Sequence, residues 1–382
     1  MKSKPSLRLS PRKKLPVTTL HDPDTPFAVV DRTRLRANLA GLQRRLDHKG
    51  VTLRPHVKTA KSVDIARMIF GGTRPITVST LAEAEAFADA GFTDITYAVG
   101  VDPHKLPRIR ALIDRGVDIA VILDSALQAE AVVRQRVPAL IEVDCDGHRA
   151  GVKVQSADLL RIGETLATAG CLRGVLLHAG ESYHASSPAA LAAAAANERD
   201  VAVRAARRLR DAGYAVPTVS VGSTPTAHTD VELDGVTEVR AGTYVFFDLF
   251  MAGLGVCRID DLALSVVVTV IGVQPDKGQV ITDGGWTAIS YDRSTSSQPV
   301  DQGYGLVTTL DGAVIPDVLM TDVSQEHGVL TTRDGGMPDL PVGTRVRILP
   351  NHACAMADQH RQFLVVDGGR EIIAAWPRVG GW

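Results

Sequence analysis

Between residues 50 and about 245, short apolar runs alternate with segments of helical period. The runs are TLRPHVK (52–58), ITVST (76–80), ITYAV (95–99), IAVILD (119–124), ALIEVD (139–144), RGVLLHA (173–179), TVSVGS (218–223) and EVRAGTY (238–244). Most are apolar at consecutive rather than alternate positions, which is how strands covered on both faces read. Between them lie segments such as STLAEAEAFADAG (79–91) and SPAALAAAAANERDVAVRAARRLRDAG (187–213). Several begin at Ser or Asp and stop at Gly, the residues that cap helices. Eight strands separated by helices predict an α/β fold, a (β/α)8 TIM-type barrel. A doubly wound open sheet is the alternative, but no GxGxxG turn follows the first strand.

After about residue 255 the texture changes. LALSVVVTVIGVQ, GQVITDGG, HGVLTT, GTRVRILPNHAC and RQFLVVDGGREIIAAWPRV read as strands joined by Gly, Asp and Pro turns. The expected organisation is therefore an N-terminal arm over 1–25, partly in the β-domain or disordered, a barrel over 26–255, and an all-β domain over 256–382. PFAVVD (26–31) is strand-like and could join either unit; a helix with Leu35, Leu39 and Leu42 on one face follows it.

At 382 residues the chain has length for two domains. With 45% hydrophobic and 22% charged residues and a formal net charge of −1, nothing favours nucleic acid or an anionic membrane as partner. The basic start, MKSKPSLRLSPRKKLP, lacks the apolar core of a secretory signal, and Pro5, Pro11 and Pro16 interrupt any amphipathic helix. No apolar run approaches the ~20 residues that span a bilayer. Cys145, Cys171, Cys257 and Cys354 show no CxxC spacing, which predicts a reducing, cytoplasmic setting.

Barrel chemistry collects where strands end. Those positions hold His56 and Lys58, Ser79 and Thr80, Asp124, Asp144 with Arg149, His178 with Tyr183 and His184, Gly222-Ser223-Thr224, and Gly242-Thr243-Tyr244. A lysine desolvated at a barrel mouth can attack an aldehyde. The small, donor-rich loops VGSTPTA (221–227) and AGTY (241–244) follow the seventh and eighth runs, the usual phosphate site of such barrels. Taken singly, these features also read as a solvated strand end and ordinary turns. Together they predict a phosphorylated aldehyde, pyridoxal 5′-phosphate. Arg149, in EVDCDGHRAGV (142–152), could face its pyridine nitrogen and leave that nitrogen unprotonated.

In LPNHACAMADQH (349–360), His352 and Cys354 stand at i and i+2; if the strand RVRIL stays extended, they point the same way. Imidazole plus thiolate suits zinc better than manganese or magnesium. Two ligands leave positions open for a substrate hydroxyl. A buried His and a buried Cys are the ordinary alternative. His327 and His360 read as exposed loop residues.

RPHVKTAK, DCDGHRAGV, HAGESYHA, VSVGSTPTA, RAGTYVFFD and PNHACA, in this order, resemble the D-serine dehydratase/D-threonine aldolase group of alanine-racemase-like pyridoxal-phosphate enzymes. The resemblance runs from about residue 25 to the end. It implies a barrel plus a β-domain, usually as a homodimer. Carried over residue by residue, it makes Lys58 the lysine that forms the Schiff base and Arg149 the partner of the ring nitrogen. Gly222, Ser223, Thr224, Gly242, Thr243 and Tyr244 fall in the phosphate loops, and His178 and Tyr183 by the cofactor. His352 and Cys354 match the metal pair of the dehydratase branch. The aldolases have His-x-Asp there, and a histidine where this chain has Tyr183; both departures imply β-elimination. The implied reaction is removal of the α-proton by Lys58 and loss of the β-hydroxyl from a D-3-hydroxy amino acid, giving a 2-oxo acid and ammonia. Aldol cleavage to glycine and an aldehyde is the alternative, and D-serine, D-threonine and 3-hydroxyaspartate remain open as substrates.

Overall fold

Consecutive apolar residues in the first half of the chain divide between two sides of one sheet. The computed structural model describes residues 18–70 and 72–382, with the main chain alone at Phe70. Its barrel strands are β1 (Thr52–Leu53), β2 (Ile76–Val78), β3 (Asp94–Gly100), β4 (Asp118–Leu123), β5 (Ala139–Asp144), β6 (Leu172–Leu176), β7 (Thr218–Val221) and β8 (Glu238–Val239). All pair in parallel, in the order β1-β8-β7-β6-β5-β4-β3-β2. The cylinder closes beyond β1, where His56 bridges Thr77 of β2 and the N–H of Val57 donates to Thr77 O at 2.9 Å. Ile122, Leu140 and Leu176 form one small apolar cluster with Ala98 and Ala120, while their neighbours Val121, Ile141 and Val175 join the large outer core. Alternation survives inside the unbroken apolar runs, because each strand has helices on one side and the lumen on the other.

Capping follows the sequence. Thr80, Ser125 and Ser187 accept main-chain N–H groups at the starts of helices Leu81–Asp89, Ala126–Arg134 and Pro188–Asp211.

The second unit is antiparallel. Strands Leu264–Gln274, Gln279–Thr282, Gly328–Thr332, Val314–Val323, Gly305–Thr308 and Arg345–Leu349 close a six-stranded ring. The expectation that residues from 26 onward belong to the barrel is corrected here. Phe27–Asp31 lies between Leu264–Gln274 and Gln362–Val366 in the second sheet. All five of its residues are buried, so its main chain needs partners on both edges, and the eight barrel positions are already filled. Asp31 then caps helix Arg32–His48, which returns the chain to the barrel. Of the N-terminal arm, residues 1–17 lie outside the described residues; Thr18–Thr19 pairs with Glu371–Ile372. Among the described residues, no helix is long and apolar enough to cross a membrane.

Candidate active site

The sequence run containing Lys58 is shorter as a strand than expected. β1 ends at Leu53, and Lys58 stands in a turn just past the barrel-closing bridge at His56. Its exposed side chain opens on a cavity at the ends of the barrel strands, rather than being desolvated there. Ala98, Ile122 and Leu176 from the lumen cluster form apolar wall, and His56, Arg149, His178 and Tyr183 line the same space. Burial, then the Lys58 charge, pushes His56 well below the ordinary histidine range, so its ring is neutral beside the amine. His56, left open by its sequence context, thus belongs to the cavity.

The two small loops meet opposite Lys58. Gly222, at φ +129°, passes so close to Arg240 that a Cβ would lie 2.2 Å from the Arg240 carbonyl oxygen. Only glycine fits. Much of the first loop's hydrogen-bonding capacity is spent on itself. Gly222 N–H donates to Glu198 at 2.8 Å, Ser223 N–H to Thr226 at 3.1 Å, and Ser223 Oγ caps Thr226. The second loop differs. Among the described residues, the main-chain N–H groups of Gly242 and Thr243 have no protein acceptor, although both residues line the cavity. Main-chain donors left free beside buried Arg240 and exposed Lys58 are the chemistry that a phosphate dianion requires. Tyr244 does not line the cavity. Its ring is fully buried in the core, and only its N–H reaches the loop, at Thr224 Oγ1 (3.3 Å).

Arg149 reaches the cavity wall, with its guanidinium 3.4 Å from buried Glu142. Burial raises the Glu142 carboxyl and Arg149 opposes that rise. His178 is held by Gly222 O at 3.2 Å, and burial, followed by the Lys58 charge, lowers it to about 3. Tyr183 stacks near Phe250 and His178, and the Thr224 N–H faces its hydroxyl. Burial drives that phenol far above its ordinary value, so the Tyr183 hydroxyl, which accepts from the Thr224 N–H, keeps its proton at neutral pH.

His352 and Cys354 come together by a route other than the expected one. The strand ends at Leu349, His352 occupies the N-cap and Cys354 lies in the first turn of helix Ala353–Asp358. Their side chains nonetheless act on each other's protonation. Thr59 Oγ1 lies 3.2 Å and Thr243 Oγ1 3.9 Å from Cys354 Sγ, so the thiol stands behind Thr243, which lines the cavity. Asp292 stands 3.5 Å from His352 Nδ1. Burial opposes charge on both groups, but His352 and Lys58 lower the Cys354 thiol, and Asp292 and Cys354 raise the His352 ring. Each group thus favours the charged form of the other, and a cation bound by the pair would displace a proton.

Several residues escaped the sequence reading. Buried Arg240 on the cavity wall donates to Ser220 Oγ at 2.5 Å and to Leu177 O; burial lowers it to about 10, against Glu238, Glu198 and Glu142. It remains a cation at neutral pH. An arginine inside the apolar run EVRAGTY was its signal. Glu198, within an alanine-rich helix, gave none. Asp248 caps helix Leu249–Gly253 and accepts Ala353 N–H at 2.9 Å, joining the barrel to the His352–Cys354 turn. His327 is exposed as expected, whereas His360 is half-buried with Nε2 2.8 Å from Ala288 O, away from this cavity.

Comparison with known proteins agrees in both units. The alanine racemase N-terminal domain model matches residues 30–249, and a serine dehydratase domain model matches 263–366. D-threo-3-hydroxyaspartate dehydratase of Delftia sp. (strain HT23) is 50% identical over 380 residues, 95% of this chain and 99% of that protein. A cysteine-to-alanine variant of a D-threo-3-hydroxyaspartate dehydratase, solved in a metal-free form, superposes with a TM-score of 0.92 at 49% identity, covering 96% of this chain and all of the other. D-threonine aldolase from Filomicrobium marinum superposes with a TM-score of 0.81 at 27% identity, covering 96% and 98%.

Proposed function

Because the chain belongs to the D-serine dehydratase/D-threonine aldolase family of alanine-racemase-like, pyridoxal-phosphate-dependent lyases, we propose that it removes water from a D-3-hydroxy amino acid of the 3-hydroxyaspartate type. The products are a 2-oxo acid and ammonia. One observation carries the reading: Cys354 Sγ lies 3.9 Å from Oγ1 of Thr243, which lines the cavity on which Lys58 opens.

Bound here, pyridoxal phosphate supplies an electron sink at Cα, and a divalent metal supplies Lewis acidity at the β-hydroxyl. Lys58 would hold the cofactor's aldehyde carbon and, once released, its Nζ would take the proton from Cα. The N–H groups of Gly242 and Thr243 and the Tyr183 hydroxyl would bind the phosphate. Arg149 would face the ring nitrogen and keep it unprotonated, while neutral His178 offers an uncharged wall. His352 and Cys354 would hold the metal, with the thiolate favouring zinc over manganese or magnesium. Aldol cleavage needs a base for the β-hydroxyl proton, and the phenol of Tyr183 keeps its own. A dicarboxylate substrate is supported by the activity named for the half-identical relative. A homodimer belongs to the same reading. Exposed Trp286, Tyr291 and Val300 lie in the segment carrying Asp292, where a second copy would cover them; sedimentation at monomer mass would remove this part.

The test is product analysis with D-threo-3-hydroxyaspartate, D-serine and D-threonine, with and without chelator. A 2-oxo acid and ammonia, formed fastest from the dicarboxylate and suppressed by chelation, are expected. Glycine plus an aldehyde overturns dehydration, and full activity after complete metal removal overturns the metal's role.

A further inference from the structure

Outside the cavity wall a second group of metal-ligating side chains stands on two neighbouring loops. His148 follows β5, and Glu181 and His184 lie on the turn Gly180–His184 that follows β6. Nδ1 of His148 is 2.9 Å from one Glu181 carboxylate oxygen, and Nδ1 of His184 is 3.2 Å from the other. One ligand atom from each residue lies within 4.8 Å of the other two. The arrangement is supported from beneath. The Asp146 carboxylate accepts the main-chain N–H of His148 at 3.1 Å and that of Glu181 at 2.9 Å, tying the two loops together. Asn197 holds the Cys145 carbonyl at 2.8 Å. At Gly180 a Cβ would lie 2.1 Å from the His148 ring, so the absence of a side chain there lets the ring pack onto the turn.

We infer that His148, Glu181 and His184 form a second divalent-metal site, separate from His352 and Cys354, that clasps the Arg149 loop to the Tyr183 turn. Two imidazoles and one carboxylate suit zinc, nickel or cobalt, and three protein ligands leave a position for water. Ligand atoms around a four-coordinate ion sit about 3.5 Å apart. Closing the group from 4.8 Å therefore needs only side-chain rotation. Side-chain exposures of 37%, 49% and 62% leave the three residues free to rotate and the ion free to enter. On binding, each ring gives up its Nδ1 proton, to solvent or by moving it to Nε2, and the ion replaces both hydrogen bonds to Glu181. Arg149 adjoins His148, and Tyr183 lies between Glu181 and His184. An ion here would steady two walls of the cavity without touching substrate.

The test uses the purified holoenzyme, stripped of metal by chelation, exchanged into Zn2+ at micromolar free concentration and assayed for bound zinc per chain. The His148→Ala/His184→Ala double variant is expected to bind one equivalent fewer than the wild-type chain while keeping its basal activity. Cys354→Ala should lose a different equivalent. Glu181→Gln and Asp146→Asn should weaken the second site about tenfold or more, the latter by loosening its support. Amide exchange over residues 145–151 and 180–185 should slow on zinc addition in the wild-type chain and stay unchanged in the double variant. A wild-type stoichiometry that the double variant does not lower overturns the site. Slowing of exchange that persists in the double variant overturns the clasp.

Discussion

Lys58 owes its place to the end of β1, and its chemistry to an amine that, among the described residues, no other side chain lining the cavity duplicates. Lys58→Ala should lower turnover by about 10³-fold or more, the range of a lost positioned base. It should also abolish the cofactor's protein-bound absorbance; unaltered absorbance would reject Lys58 as the aldehyde's partner. Cys354→Ala leaves His352 as a single ligand, so affinity for the metal equivalent held at that pair should fall at least about tenfold, with activity falling in parallel as that equivalent is lost. His228, at the end of the short helix Thr224–Ala227, tests electrostatics behind the cavity wall. Burial holds this ring at about 4 against an ordinary 6.5, while Thr224 O, 2.7 Å from its Nδ1, favours the proton. Between those values the unfolded chain binds the extra proton, so the contribution of His228 is complete above pH 6.5 and is lost as pH falls toward 4. The urea midpoint of the wild-type chain should drop across that window more steeply than that of His228→Gln. Parallel curves would rule the residue out.

At the scale of elements, the long helix Pro188–Asp211 does more than cover the barrel. Its buried Glu198 accepts Ala179 N–H at 3.0 Å, Gly222 N–H at 2.8 Å and the Thr226 hydroxyl at 2.9 Å, fixing the ends of β6 and β7 together. Glu198→Ala would leave two buried N–H donors without acceptors, at about 1 kcal/mol or more each, and would leave the Thr226 hydroxyl only its contacts with Ser223. The variant should unfold about 2 kcal/mol more easily and hold pyridoxal phosphate more weakly. A change below about 1 kcal/mol would show that water replaces the carboxylate. The strands and caps of this region were legible in the sequence, since apolar runs and Ser, Thr and Gly punctuation are local signals. Glu198 was not legible, because a glutamate among alanines has the same local pattern whether its helix face meets solvent or a barrel loop. Likewise, the turn after Leu349 replaced an expected extension, since Pro350 and Asn351 are fixed by contacts with Leu249 and Phe250 across the domain boundary.

For the whole molecule, the two units share a strand and a core. Phe27–Asp31 lies inside the second sheet, and the large apolar cluster runs through both units. A fragment spanning 256–382 therefore lacks an interior strand and should be unfolded by circular dichroism. Adding a peptide covering 18–31 should restore β signal; a fragment that folds alone would contradict the shared sheet. The intact chain should unfold in a single transition. By itself the sequence determined the eight-stranded α/β barrel and the β-rich second half, and it singled out Lys58, Arg149, Tyr183, His352 and Cys354 as candidates for the chemistry. Period, caps and residue type are properties of neighbouring positions, and neighbouring positions are what a sequence displays. Only the tertiary structure decided which sheet receives Phe27–Asp31, that Tyr244 turns into the core while Arg240 lines the cavity, and that His352 meets Cys354 through a helix cap. Those outcomes depend on burial and on partners far along the chain, and His148 with Glu181 and His184 is a juxtaposition of the same kind.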